Sequence, residues 1–171
     1  RFPFVELNFT YYRQPNGYAL AKMADKTPGS FLFTVKAHQS LTHEREEGWE
    51  KEADTYLEGI RPLAEQGRLG GVLLQFPYSF HYTRDNRSYL ASLSGRLSGD
   101  GRVPLLVEFR NTEWHRSSVR EGLAGRNVGY VVTDSPDLPK LPEPESVVTA
   151  DTAYIRFHGR NRENWWTGDN T

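Results

Sequence analysis

The sequence predicts an α/β protein, a TIM-type (β/α) barrel, and three observations lead to this fold class. Strand-like segments alternate with helical patterns, they recur about every 30 residues, and each ends on polar or charged side chains. This alternation is typical of right-handed βαβ units and a parallel sheet. A doubly wound sheet has the same rhythm, but no glycine-rich phosphate loop follows any of the segments.

The predicted strands begin apolar and finish on a carboxylate, cation, imidazole or amide. They cover residues 4–8, 33–38, 72–76, 106–110, 130–134 and 154–158. Helical spacing of apolar residues predicts helices over 18–25, 51–66, 88–97 and 117–126. Pro62 is expected to kink the second helix or end its first part. The proline-rich segment 136–144 is expected to be an irregular connection.

The chain length limits how much of a barrel this sequence can form. Its 171 residues suit a single domain over 1–171. Eight βα units would need about 240 residues. We therefore expect an incomplete barrel of about six units, with the first and last strands outside this sequence.

Composition narrows the class of protein. No apolar run reaches the ~18 residues of a membrane span, and no signal segment opens the chain. Cysteine is absent, which removes disulfide and thiolate chemistry and fits a cytoplasmic protein. The formal net charge of −1 disfavours a large basic face for duplex nucleic acid, although it allows a small basic pocket.

The polar strand ends form the candidate site, because the carboxyl ends of parallel barrel strands meet at one rim. Alternation places residues two apart on the same face, as with Glu108 and Arg110 or Arg156 and His158. We expect Tyr12 and Trp114 on the loops that follow two of these strands. The other candidates at the rim are Glu6, Lys36, His43, Gln75, Glu108, Arg110, Arg156 and His158.

Each candidate has a functional and a structural interpretation. Glu108 or Glu6 would be a general base, and His158 or His43 the acid. The cations Lys36, Arg110 and Arg156, with Gln75 and Tyr12, would hold a substrate. A lysine inside a barrel is either paired with a carboxylate or held at a depressed pKa as a base. The ring of Trp114 either stacks on a ligand or packs at the start of the next helix.

Further polar residues have weaker claims to function. Asp134 is explained equally well as a turn former, and His38 as a hydrogen-bonded structural residue. Arg160 and Arg162 lie on a polar loop with two tryptophans, which would suit capping of a bound anion.

These clusters, in this order, resemble the YecE-like family, also called domain of unknown function 72. The matching segments are 5–13, 28–36, 41–43, 69–77, 107–110 with Trp114, and 154–159. The resemblance covers nearly the whole chain and implies a TIM-type barrel. Members usually open with a Gly-Thr-Ser-Gly-Trp-like strand and close with an Asn-Asn-bearing one, and neither is present here. The family implies no established reaction, but its recurring polar positions fall on the same rim residues.

Three functions remain open from the sequence. One is a hydrolase or lyase acting on an anionic substrate, such as a phosphate ester. Another is a non-catalytic module that binds a small anionic ligand or, less favoured, a nucleic acid. The third is a self-neutralising lattice of charges without a ligand. A metal-assisted hydrolase would recruit His38, His43, His158 and a carboxylate. The histidine spacing shows no metal-binding motif, so no metal is predicted, and the sequence indicates no particular cofactor.

Overall fold

In the computed structural model, the strands lie parallel and in sequence order within one sheet. The structure describes residues 2–99, 101–138, 141, 147–160 and 162. All the predicted strands are confirmed, with ends shifted by a few residues. They are β1 (Phe4–Leu7), β2 (Leu32–Lys36), β3 (Leu69–Phe76), β4 (Leu105–Phe109), β5 (Val128–Asp134) and β6 (Tyr154–Phe157).

The predicted helices are confirmed as well: α1 (Gly17–Asp25), α2 (Trp49–Glu65), α3 (Arg84–Ser98) and α4 (Ser117–Ala124). Asn16 and Thr83 cap α1 and α3 by accepting a hydrogen bond from a backbone N–H of the first turn. The helix α2 passes through Pro62 and ends at Glu65, so the proline does not end the first part of the helix, and the alternative, a kink, stays a prediction. Pro62 lies in the last turn, so the helical hydrogen bond that it cannot donate is one of the last in the helix.

Gly59 allows α2 to approach the chain segment that leads into α1. A Cβ at this position would lie 2.2 Å from the carbonyl oxygen of Pro15. Any other residue would push α2 away from α1, because that neighbour is rigid backbone. A glycine is therefore required for this contact.

The sheet curls into a half-barrel. Its edge strands β1 and β6 do not pair with each other, yet Glu6 on β1 lies 2.7 Å from Arg156 on β6. Parallel register places Gln75 beside Glu108 and Thr133 beside Arg156. Curling and register together direct the strand ends towards one enclosed space.

The two faces of the sheet carry different side chains. The outward face packs beneath the helices and forms the main hydrophobic core. The inward face carries a smaller apolar layer of Leu73, Leu106 and Val131, against which Tyr154 packs. Leu106 fits there because glycines flank it: a Cβ at Gly71 or Gly129 would lie 2.8 Å from its methyl groups. This apolar layer closes the space from below.

Part of the chain lies outside the described residues, including most of the proline-rich segment and both tryptophans of the last loop. Of the helices in the described ranges, none is both long and apolar enough to span a membrane.

Candidate functional site

Above the apolar layer, the inward face carries charged side chains at the strand ends. Two groups of residues divide this rim. We call the first the carboxylate cluster, which comprises Glu6, Glu108, Arg110, Arg156 and His158. We call the second the lysine corner, which comprises Tyr11, Lys36, His43 and Gln75.

Glu108 is the centre of the carboxylate cluster and is fully buried. Arg156 donates from Nη1 to its Oε2 at 2.6 Å, and Arg110 Nε lies 2.6 Å from its Oε1. His158 Nε2 is 3.1 Å from the same Oε1. Burial by itself would raise the pKa of Glu108, but the hydrogen bond with His158 and the charges of Arg110 and Arg156 outweigh it and lower the pKa to about 2. The side chain is therefore an anion held by hydrogen bonds from Arg156 and His158 and by an ion pair with Arg110.

Arg156 joins the two edge strands. Besides Glu108, it holds Glu6 with a two-pronged contact, Nη2 to Oε1 at 2.7 Å and Nε to Oε2 at 3.0 Å. The hydroxyl of Tyr154 also donates to Glu6 Oε2 at 2.9 Å. Burial opposes ionisation of Glu6, but the hydrogen bond and charge of Arg156 prevail and lower its pKa. Both carboxylates are thus satisfied from the inner wall of the sheet.

His158 lies between Arg110 and Glu108. Its Nε2 is 3.1 Å from Glu108 Oε1, and its Nδ1 is 3.5 Å from Arg110 Nη2. The ring therefore helps to orient the buried carboxylate.

Lys36 has a different environment in the lysine corner. Its Nζ donates to Gln75 Oε1 at 2.9 Å and lies 4.4 Å from the ring centre of Tyr11. Among the described residues, no carboxylate oxygen lies within 4.0 Å of this nitrogen. Burial, followed by the charge of Arg156, lowers the pKa of Lys36, although Glu108 opposes the shift. Lys36 is therefore a partly buried cation with neutral partners.

Two turns after the strands build this corner. The hydroxyl of Thr10 donates to the carbonyl oxygen of Lys36 at 2.6 Å, which fastens the 3₁₀ turn Phe9–Tyr11 over β2 and sets the ring of Tyr11 above the lysine. A π-helical turn, Ser40–Glu44, carries His43 to a position 4.8 Å from Tyr11, ring centre to ring centre. Short π-helical turns of this kind are frequent at functional sites.

The protonation state of His43 differs from the predicted role of acid. Burial, with a contribution from the charge of Lys36, lowers its pKa to about 4, so the imidazole is neutral at neutral pH. Glu108 likewise differs from the predicted general base, because a carboxylate with a pKa of about 2 is a weak base. Both shifts weaken the proton-transfer roles predicted for these two residues.

Trp114 is placed in the core instead of at the rim. Only 1% of its surface is exposed, and its ring stacks on Phe80 and on Phe109 at centroid distances of 5.0 and 4.5 Å. Its indole nitrogen donates to the carbonyl of Phe80 at 2.6 Å. Because both faces of the ring are covered, the predicted stacking on a ligand is wrong. The alternative interpretation, packing before the next helix, is confirmed.

Tyr12 is not brought to the rim either. It is 76% exposed, touches Tyr11 edge-on, and lines a separate cavity of 390 Å³ that extends towards α1. The 3₁₀ turn directs the preceding ring inwards instead. Tyr11, not Tyr12, therefore contacts the lysine.

The residues with weaker claims have local partners. His38 Nδ1 lies 2.8 Å from Ser40 Oγ, and Asp134 pairs with exposed Arg160 at 2.8 Å. Arg162 pairs with Asp137 at 2.6 Å. In the part of the chain that the structure describes, no three His, Asp or Glu side chains are grouped so as to hold a metal ion.

Two residues of the site were missed in the sequence, Tyr11 and Tyr154. Tyr154 lies two residues before Arg156 on β6, so alternation alone could have placed it on the inner face. Tyr11 precedes Tyr12 in the loop after β1, and only the geometry of the 3₁₀ turn shows which of the two rings contacts Lys36.

Comparison with known proteins places the chain among relatives of undetermined function. The model of the family "Protein of unknown function DUF72" matches residues 1–171. The UPF0759 protein YunF of Bacillus subtilis is 30% identical over 98% of this chain and 62% of its own length. This chain thus spans less than two thirds of that relative.

Solved structures agree with this. A DUF72 family protein of Thermotoga maritima, TM1631, superimposes with a TM-score of 0.85 at 40% identity, over 98% of this chain and 64% of that one. EF0366 of Enterococcus faecalis, also a DUF72 family protein, gives a TM-score of 0.84 at 25% identity, over 96% of this chain and 69% of that one. Sequence and structure together establish that the chain belongs to the DUF72 family, as its resemblance to YecE-like proteins predicted.

Proposed function

We propose that the rim of the half-barrel binds a small anionic ligand, such as a phosphate-bearing molecule, and that the protein is a hydrolase or lyase acting on it. The observation that carries this proposal is the ammonium of Lys36, which is partly buried and has neutral partners. A partly buried charge is costly unless it is paired. A ligand anion beside Lys36 would supply the missing partner.

The charge balance of the rim supports the same conclusion. Among its described residues, the cations Lys36, Arg110 and Arg156 outnumber the carboxylates Glu6 and Glu108. The two carboxylates are engaged by the arginines. The excess positive charge therefore lies towards the lysine corner, where an anion would neutralise it.

The catalytic part of the proposal rests on that corner too. Burial lowers the pKa of Lys36, which favours its neutral amine more than in an exposed lysine, and the neutral ring of His43 offers a nitrogen that can accept a hydrogen bond. Glu108 and Glu6 would orient the arginines and would not act as bases. This assignment reverses the roles expected from the residue types.

A second candidate is binding of an anion without catalysis. The engagement of both carboxylates favours it, because it leaves neither as a ready general base. A nucleic acid ligand is less favoured, since the formal net charge is −1.

For the fold, we propose that the curled sheet is a TIM-type arrangement. Parallel strands in sequence order and the contact between Glu6 and Arg156 across the edge strands support it. In such barrels, sites lie at the carboxyl ends of the strands, which is where both groups of rim residues lie.

Titration with inorganic phosphate tests the anion site. We expect saturable binding by calorimetry, at least tenfold weaker in Lys36→Met and largely retained in Lys36→Arg. Lys22→Met is the matched control, since Lys22 also lies over a tyrosine ring but is exposed and paired with Asp25. Equal binding by wild type and Lys36→Met would refute the proposed site.

Catalysis is tested separately on a panel of phosphate esters and phosphorylated hydroxy acids. We expect turnover of at least one compound, abolished in Lys36→Met but not in Lys22→Met. Phosphate binding without turnover of any compound would favour the binding module.

A further inference from the structure

We propose that Lys36 is a nucleophile that forms an imine with an aldehyde or ketone carbonyl of the anionic ligand. This inference rests on the proposed anion site and names its substrate class, a small carbonyl compound that carries a carboxylate or phosphate. It assigns the lysine a covalent role beyond charge recognition.

The surroundings of the amine are those that imine-forming lysines require. A lysine becomes nucleophilic when it is desolvated or lies next to other cations, because both conditions favour the neutral amine. Lys36 meets both: it is partly buried, and Arg156 and Arg110 act on it as neighbouring positive charges. The charges of Glu108 and Glu6 act in the opposite direction, but the oxygens of both carboxylates are bound by Arg156.

The contacts of Lys36 also suit a neutral amine. Gln75 Oε1 accepts a hydrogen bond at 2.9 Å, and it can accept equally from an ammonium or an amine. The glutamine is itself almost fully buried beside Glu108, so its position is set by the sheet. The bond to Thr10 holds the backbone of Lys36 as well. The nitrogen is therefore positioned by neutral partners, with no carboxylate of the described residues in direct contact with it.

The charged and titratable groups around this nitrogen come from every neighbouring element. They are Glu6 on β1, Glu108 and Arg110 at the end of β4, Tyr154 and Arg156 on β6, and Tyr11 and His43 on the turns. On the side of the turns, Tyr11 places its ring beside the lysine, and the imidazole of His43 is neutral. A ligand anion could approach Lys36 without meeting an unpaired carboxylate.

The step balances with water as its only by-product. Lys36 first releases one ammonium proton to solvent, and the amine attacks the carbonyl carbon to form a C–N bond. The carbonyl oxygen takes up a proton, and the resulting carbinolamine loses water as the C=N bond forms. Protonation of the imine restores the positive charge, so ammonium plus carbonyl gives protonated imine plus water.

Reductive trapping tests this inference. The purified protein is incubated with glyoxylate and cyanoborohydride near neutral pH, and the modified lysines are located by peptide mass spectrometry. We expect Lys36 to be labelled at least tenfold faster than Lys22, whose ammonium is exposed and paired with Asp25. Inorganic phosphate should slow labelling of Lys36 and leave Lys22 unaffected.

The outcomes separate this inference from the proposed anion site. Phosphate binding together with equal labelling of Lys36 and Lys22 would overturn the imine and leave the anion site standing. Preferential labelling of Lys36 by acetaldehyde, without phosphate binding or competition, would support the nucleophile and overturn the anion site. The Lys36→Arg variant should retain phosphate binding, because the charge is kept, and should show no labelling at position 36.

Discussion

The carboxylate cluster and the lysine corner occupy the same rim, yet they treat charge in opposite ways. In the cluster, Arg156 pairs with two carboxylates, and Glu108 is in contact with two arginines and a histidine. In the corner, Lys36 meets an amide and a ring. The ion pairs of the carboxylate cluster stabilise its buried charges, whereas the ammonium of Lys36 has no anionic partner among its direct contacts in the described residues. We therefore assign the cluster to stability and the corner to function.

Substitution of Glu108 should give the largest effect and is the strongest test of this division. Glu108→Gln removes the charge that Arg110 and Arg156 neutralise within the sheet. Breaking such a buried pair costs about 3–5 kcal/mol, so we expect a loss of that size in the free energy of unfolding, measured with urea.

The matched control is Asp134→Asn, whose partner Arg160 is exposed. This change should scarcely alter the unfolding midpoint, because surface pairs contribute little. If Glu108→Gln is as stable as wild type but loses turnover, Glu108 is catalytic and the division is wrong.

The dependence of stability on pH should separate the two regions. The pKa of Glu108 falls from 4.5 to about 2 on folding, so its contribution is present above pH 4.5 and is lost as the pH falls towards 2. A shift of this size corresponds to about 3 kcal/mol. The pKa of His43 falls from 6.5 to about 4, so the folded state loses stability in the higher window, as the pH falls from 6.5 to 4.

Urea unfolding across both pH windows checks this expectation. His43→Gln should flatten the profile between pH 6.5 and 4, by a smaller amount because the ring is half exposed to solvent. Glu108→Gln should flatten the profile below pH 4.5. A profile of His43→Gln that parallels wild type in the upper window would contradict the assignment.

Lys36→Met should have little effect on stability. Loss of the hydrogen bond to Gln75 costs about 1 kcal/mol, and removal of a charge beside Arg156 offsets part of that cost. Unfolding by urea should therefore shift by less than about 1 kcal/mol. A loss as large as that of Glu108→Gln would mean that the lysine, too, is part of a structural lattice.

The smallest effect is expected for the ring above the lysine. A double-mutant cycle of Tyr11→Leu and Lys36→Met should show a coupling of about 0.5–1 kcal/mol. The corresponding cycle of Tyr18 and Lys22, at 5.7 Å and exposed, should show almost none. Equal coupling in both cycles would show that the lysine corner is no more desolvated than the surface.

Most elements of the fold could be predicted from the sequence, because strands and helices leave local patterns. Alternation correctly placed Glu108 on the inner face of β4, and apolar spacing found α2 and its neighbours. Of the two effects expected at Pro62, an end of the first part of the helix was wrong, because α2 continues through the proline to Glu65. Trp114 was misplaced among the ligand contacts because burial is decided by rings such as Phe80, which approach only after folding.

The sequence by itself determined which side chains face the interior and at which end of the sheet they lie, since strand alternation is local. Only the tertiary structure decided which charges meet. Curling of the sheet brings Glu6 to Arg156, 150 positions away along the chain, and leaves Lys36 beside Gln75. Protonation and reactivity depend on those distances and on desolvation, so our proposal that Lys36, and not Glu108, carries the chemistry rests on the tertiary structure alone.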